Sequence, residues 1–175
     1  MQKRLYILAV ILLTSMSICL STAFSNDKII DVSYSQLTPA AKKQVDCLAD
    51  NIYHEAGSEP FEGKVAVAQV TLNRVASGKF SNDICKVVYQ KNVILDKVVC
   101  QFSWYCDTPA RAVYLNKNRF EESEAVAKKV LLEGFRMDSL KEALYYHADY
   151  VNPKWNKERI AKIGQHIFYK DRGGL

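Results

Sequence analysis

Apolar residues recur at three- and four-residue steps through Ala41, Val45, Leu48, Ala49, Ile52 and Ala56, the spacing of one helical face. Thr38-Pro39 stands directly before this run, with Thr suited to cap the helix and Pro to its first position, and Gly57 is placed to stop it. A turn at Gly57-Ser58-Glu59-Pro60 leads to a second helix over roughly 61–77, whose apolar face is Val65, Ala68, Leu72 and Val75 and which Gly78 closes. Ser81-Asn82-Asp83 caps a short third helix carrying Ile84, Val87 and Val88. Residues 93–104 are rich in β-branched and aromatic side chains and predict a small hairpin or irregular strands. Helical spacing returns over 119–134 through Ala125, Val126, Val130 and Leu131, ending at Gly134. Two strands are predicted near the end, over 143–148 and 165–169. The expectation is a single α+β domain over 38–175, helix-dominated, with a small antiparallel sheet.

The first 25 residues have a different pattern. Lys3 and Arg4 precede an apolar stretch over 5–20, and Ala23 and Ser25 supply small residues before Asn26, which together predict a secretory signal peptide. About 16 apolar residues rich in Thr and Ser are short for a bilayer core, so contact with a membrane is expected only through this signal or a transient anchor. Residues 26–37 form a polar lead-in. The expected destination is the periplasm, the cell wall or the exterior. The net charge of +5 falls to +3 once Lys3 and Arg4 are set aside, a mild excess that does not call for nucleic acid and suits an anionic polymer. About 150 remaining residues suffice for one core, and a monomer is expected.

Export changes the meaning of the cysteines. Four of the five, Cys47, Cys85, Cys100 and Cys106, lie beyond the signal, and an even number in an exported chain predicts two disulfides. Three pairings are possible. Cys100 and Cys106 are close enough to close a small loop, which would leave Cys47 with Cys85. A zinc site is the rival, but there is no C-x-x-C and the spacings are irregular.

Glu55 is the most informative polar residue. Steps of three and seven back from it reach Ile52 and Leu48, so it lies on the apolar stripe of the first helix. Desolvation there raises a carboxyl pKa, as a general acid requires. The plainer alternative has Glu55 at the edge of the stripe, paired with Arg74 or a lysine. His54 suggests an H-E-x-x-H zinc motif, but the position four residues on is Ser58 and the motif fails; no metal and no cofactor are expected. Gln101-Phe102-Ser103-Trp104-Tyr105 combines aromatic faces with short polar groups, which suits either a saccharide cleft or an ordinary strand with a buried Phe and Trp. Tyr145, Tyr146 and His147, followed by Trp155, pose the same choice. Gln69 and Asn73, at i and i+4 on the second helix, form a polar row that faces either substrate or solvent.

The order of these pieces resembles the SleB/CwlJ-type cell-wall hydrolase family. The segments that carry the resemblance are CLADNIYHEAGSEP at 47–60, EGKVAVAQ at 62–69, LNRV at 72–75, FSNDICKVVY at 80–89 and CQFSWYCD at 100–107, then ALYYHA at 143–148, VNPKW at 151–155 and IGQHIF at 163–168. Together they cover most of 45–170. The resemblance implies a lysozyme-like domain related to lytic transglycosylases that acts on peptidoglycan glycan strands, with the catalytic glutamate at Glu55. Tyr146 and His147 stay in register with the family, and the substrate-binding set expected here is Gln69, Asn73, Gln101, Phe102, Ser103, Tyr146, His147 and Trp155. The family more often has Arg where Gly57 stands, and Thr-His where this chain has Leu144-Tyr145. The expected reaction cleaves the bond between N-acetylmuramic acid and N-acetylglucosamine and leaves 1,6-anhydro-muramyl ends. Amide cleavage between muramic acid and the stem peptide, or wall binding without catalysis, are the alternatives.

Overall fold

The structure is a computed structural model that describes residues 34–107 and 116–173. The signal peptide and most of the polar lead-in expected from the sequence lie outside the described residues.

Helix α1, Pro39–Ala56, starts where the sequence predicts, with the Thr38 side chain accepting from the Ala41 N–H and Pro39 opening the first turn. Val45, Leu48, Ala49 and Ile52 are fully buried along its stripe. Helix α2, Phe61–Ala76, departs from the one-faced helix expected. Val65, Ala66, Val67, Ala68 and Val70 are all fully buried, whereas Leu72 and Val75 are only partly covered. A helix apolar all round belongs inside, and α2 is the wall between two cores. Val65 and Ala68 join the larger core with α1, with α3 (Ile84–Val88) and with Val126, Ala127 and Val130 of the later long helix. Ala66 and Val70 face a smaller core with Leu140, Ala143 and Phe168.

After α3, capped by Asp83, the predicted hairpin forms as β1 (Lys91–Ile94) paired antiparallel with β2 (Lys97–Cys100). It ends sooner than the sequence suggests. Phe102 turns inward at 3% exposure, and the Ser103 carbonyl accepts from the N–H groups of Cys106 and Asp107, so Trp104 begins a one-turn helix, α4 (Trp104–Asp107). Helix α5, Lys117–Leu131, is capped by the Asn116 side chain. A 3-10 turn at Asp138–Leu140 then leads into the second sheet.

That sheet has three strands rather than two: β3 (Tyr145–Ala148), β4 (Lys157–Ile163) and β5 (His166–Asp171), in the order β3-β5-β4 and antiparallel throughout. Strand β4 reads KERIAKI, mostly charged, and a register shift between Arg159 and Ala161 breaks its alternation, which hides it from a period-2 search. The disulfides are Cys47–Cys85 and Cys100–Cys106. The first ties α1 to α3, and the second closes the loop that carries 101–105. Among the described residues, no helix is long and apolar enough to cross a membrane.

Candidate active site

The last turn of α1 brings Glu55 to the boundary between the helical core and the second sheet. Its carboxyl is largely withdrawn from water, and this burial raises its pKa above the ordinary carboxylate value. Two groups oppose the rise. Tyr146 on β3 donates its hydroxyl to Glu55 Oε2 at 2.9 Å, and the positive charge of Arg74 on α2 lies close by. Desolvation prevails, and the net shift is upward. The Tyr146 phenol is pushed well above its usual pKa, first by burial and then by the Glu55 charge, and it remains an O–H donor.

Arg74 is held from three directions. Its Nε donates to the Leu144 carbonyl at 2.8 Å, and its guanidinium lies over Phe102 at 5.1 Å and Phe80 at 5.2 Å. The residue is 4% exposed. Phe102 is therefore a core residue beneath a cation, not an open stacking platform. Gln101 is half-buried, with its backbone N–H on the Gln90 carbonyl, and Ser103 is exposed.

The predicted polar row on α2 is turned to the backbone of a neighbouring segment. Gln69, 2% exposed, donates to the Met137 carbonyl at 3.0 Å and accepts from the Met137 N–H at 2.8 Å. Asn73 donates to the carbonyls of Leu140 and Ala143 at 2.8 and 2.9 Å. Both amides satisfy the backbone of an irregular segment packed on α2. They clamp the approach to β3, the strand that presents Tyr146.

Successive strand residues point to opposite faces, and this divides the aromatic set. Tyr146 faces the core side with Phe168 and His166. His147 faces the other way, stacked on Tyr169 with a centroid separation of 5.2 Å and edge-on to Trp155 at 5.5 Å. Both its ring nitrogens are engaged, with the Ala148 carbonyl at 2.8 Å and the Tyr169 hydroxyl at 2.9 Å. His147 and Trp155 are thus grouped together, but on the opposite sheet face from Glu55 and Tyr146.

Periodicity leaves several neighbours unmarked. His54 stacks on Trp104 at 4.2 Å, and burial lowers its pKa despite the charge of Asp50. Trp104 Nε1 donates to Asn51 Oδ1, and Asn51 Nδ2 donates to Thr71 Oγ1, joining α4, α1 and α2. Glu59 is 8% exposed and accepts the Gln165 N–H at 3.1 Å. Its Oε1 lies 3.8 Å from His166 Nδ1, and burial lowers the pKa of that imidazole. Gly164 has φ +56°, and a Cβ there would lie 1.9 Å from Glu59 Oε2.

An apolar groove of about 300 Å³ between α2 and α5, lined by Phe61, Lys64, Glu122, Ala125, Val126 and Lys129, has none of these residues in its walls. Among the described residues, no group of three or more His, Cys, Asp or Glu could hold a metal ion.

Residues 58–169 match the cell wall hydrolase family. The spore cortex-lytic enzyme of Bacillus cereus is 33% identical over 134 residues, which is 74% of this chain and 45% of that protein. That of Bacillus subtilis strain 168 is 30% identical over 136 residues, 73% of this chain and 38% of that protein. The chain therefore spans less than half the length of these curated relatives. Two solved structures have the same fold: the catalytic domain of the Bacillus cereus SleB protein and that of the germination-specific lytic transglycosylase SleB from Bacillus anthracis. Each has a TM-score of 0.54 and 28% identity, covering 74% and 77% of this chain and 91% and 97% of those chains. The family match begins just after Glu55 and includes Arg74 and Tyr146. From its sequence and its helix-dominated α+β fold, the chain belongs to the cell wall hydrolase family.

Proposed function

We propose that this chain cleaves peptidoglycan glycan strands between N-acetylmuramic acid and N-acetylglucosamine as a lytic transglycosylase, with Glu55 as its acid and then its base. The observation that carries this reading is the Glu55 carboxyl, whose pKa burial raises and whose Oε2 accepts from the Tyr146 hydroxyl. The names of the relatives, a spore cortex-lytic enzyme and a lytic transglycosylase, support it. The domain responsible is 38–175, exported behind the signal at 1–25 to the periplasm or the cell wall, and working as a monomer.

In the first step Glu55 gives its proton to the bridging oxygen, the bond from that oxygen to the muramyl C1 breaks, and its electron pair stays with the departing N-acetylglucosamine hydroxyl. Tyr146 bonds Oε2, which leaves Oε1 to carry the proton. In the second step the muramyl C6 hydroxyl bonds to C1 and its proton returns to Glu55. The products are a new hydroxyl end and a 1,6-anhydro end, and no water is consumed. A two-carboxylate glycosidase needs a partner carboxylate facing the same bond. Glu59, the next along the chain, is instead occupied by the Gln165 N–H.

Glu55→Gln is expected to lower release of fragments from purified sacculi by at least about a hundredfold while the fold survives. Mass spectrometry of the wild-type digest should find anhydro-muramyl ends. Ordinary reducing ends would replace transglycosylation with hydrolysis, free stem peptides would mean an amidase, and sacculus binding without release would mean a non-catalytic wall module.

A further inference from the structure

Arg74 poses a question that the acid role of Glu55 leaves open. A buried guanidinium has five N–H donors to satisfy. Its Nε is used on Leu144, but Nη1 is buried and has no hydrogen-bond partner among the described residues. Leaving such a donor unpaired is costly. The two phenyl faces fix where the group sits without supplying an acceptor.

The position of the side chain gives the unpaired donor a use. Arg74 holds the Leu144 carbonyl, immediately before β3, and two residues further on Tyr146 of that strand holds Glu55. Pairing with β5 sets the strand register, and the guanidinium anchors the residue through which the chain enters the strand that delivers the phenol. The groups that act on the Glu55 carboxyl are Tyr146 from β3 and Arg74 from α2, while His54, its neighbour on α1, feels the charge of Asp50. Tyr145 also acts on Arg74, and His166 of β5 packs edge-on against Tyr146. Arg74 is the permanent cation of this group.

We propose that Arg74 is the positioning residue of the active site: it locks β3 so that Tyr146 meets Glu55, and holds a spare N–H and a fixed charge for the carboxylate that Glu55 becomes after delivering its proton. The inference rests on the reading of Glu55 as the acid. A cation placed in advance stabilises charge that appears only during the reaction. It also keeps the Glu55 pKa from rising so far that the carboxylate could not form.

The test follows both side chains in the intact protein. Carbon-13 NMR of the Glu55 carboxyl, assigned by its loss in Glu55→Gln, gives a titration midpoint for wild type, Arg74→Lys and Arg74→Met. Nitrogen-15 NMR of the wild-type Arg74 guanidinium is followed over the same pH range. The Arg74 signals should move with the Glu55 midpoint. Arg74→Met should raise that midpoint by roughly one pH unit. The alkaline limb of activity should follow, and kcat should drop about tenfold or more with little change in KM for soluble glycan fragments. Arg74→Lys, which keeps the charge but loses the fork, should hold the midpoint near wild type and restore part of kcat. Arg74 signals blind to the Glu55 titration, or an unmoved midpoint in folded Arg74→Met, overturn the proposal; the wild-type measurement decides it even where Arg74→Met does not fold. A midpoint that moves while the activity limb stays in place upholds the coupling and sinks Glu55 as the acid, so the two readings fail separately.

Discussion

At the scale of single residues, a carboxyl group is kept on an apolar stripe where an aliphatic side chain would pack at less cost. Desolvation raises the Glu55 pKa in the folded chain relative to the unfolded one. A carboxyl shifted upward binds its proton more tightly when folded, so stability is lost as pH rises through the unfolded value towards the folded one. Glu55→Gln removes that loss and keeps an oxygen for Tyr146 to donate to. The variant should therefore melt above wild type near neutral pH, with the gap closing in acid, as calorimetry across pH will reveal. Equal melting temperatures at every pH would mean a carboxyl no costlier to ionise than one in water. Periodicity was enough to single out Glu55, because a carboxylate among aliphatic residues at helical spacing is conspicuous. Its plainer account was a Glu55 at the edge of the stripe, paired with Arg74 or a lysine. Among the described residues Arg74 instead bonds the Leu144 carbonyl and lies between two phenyl rings.

At the scale of elements, the turn between β4 and β5 joins the sheet to the start of α2 through one buried carboxylate. Gly164 sits there at φ +56°, a backbone region where a side chain is strained, and any Cβ would collide with Glu59. Gly164→Ala should destabilise the protein by at least about 1 kcal/mol from the backbone alone, and by more as Glu59 is pushed off the Gln165 N–H. Urea unfolding measures the sum. Adding Glu59→Ala should return the part owed to the collision, and no recovery would argue that the turn adapts. The helices were legible because their signals are local: a Thr38 cap, Pro39 at the first position, and apolar residues one turn apart. Strand β4 was not, because an exposed, bulged and charged strand gains its hydrogen bonds from β5 and little from its own pattern.

At the scale of the whole molecule, two cores share α2, and two disulfides constrain what surrounds them. Loop-closure entropy rises with the length enclosed. The Cys47–Cys85 bridge, with a separation of 38 residues, should contribute ~4 kcal/mol, and Cys100–Cys106, with a separation of 6, ~2 kcal/mol. Replacing each pair by alanine should lower the denaturant midpoint in that order. The reverse order would show that the short loop carrying Phe102 depends on its bridge for packing beneath Arg74, beyond any entropy.

Local order along the chain was enough to identify the helices, the even set of cysteines, the α+β class and the position of Glu55 on an apolar stripe. Each of these depends on neighbours within a few positions. Long-range packing chose everything that meets Glu55. Tyr146 reaches it from 91 residues away, while His147, its immediate neighbour, points to the opposite face because strand residues alternate and register is set by pairing with β5. Gln69 and Asn73 turned inward for the same kind of reason: the segment over 137–143 needed hydrogen-bond partners, and only the folded arrangement sets it against α2.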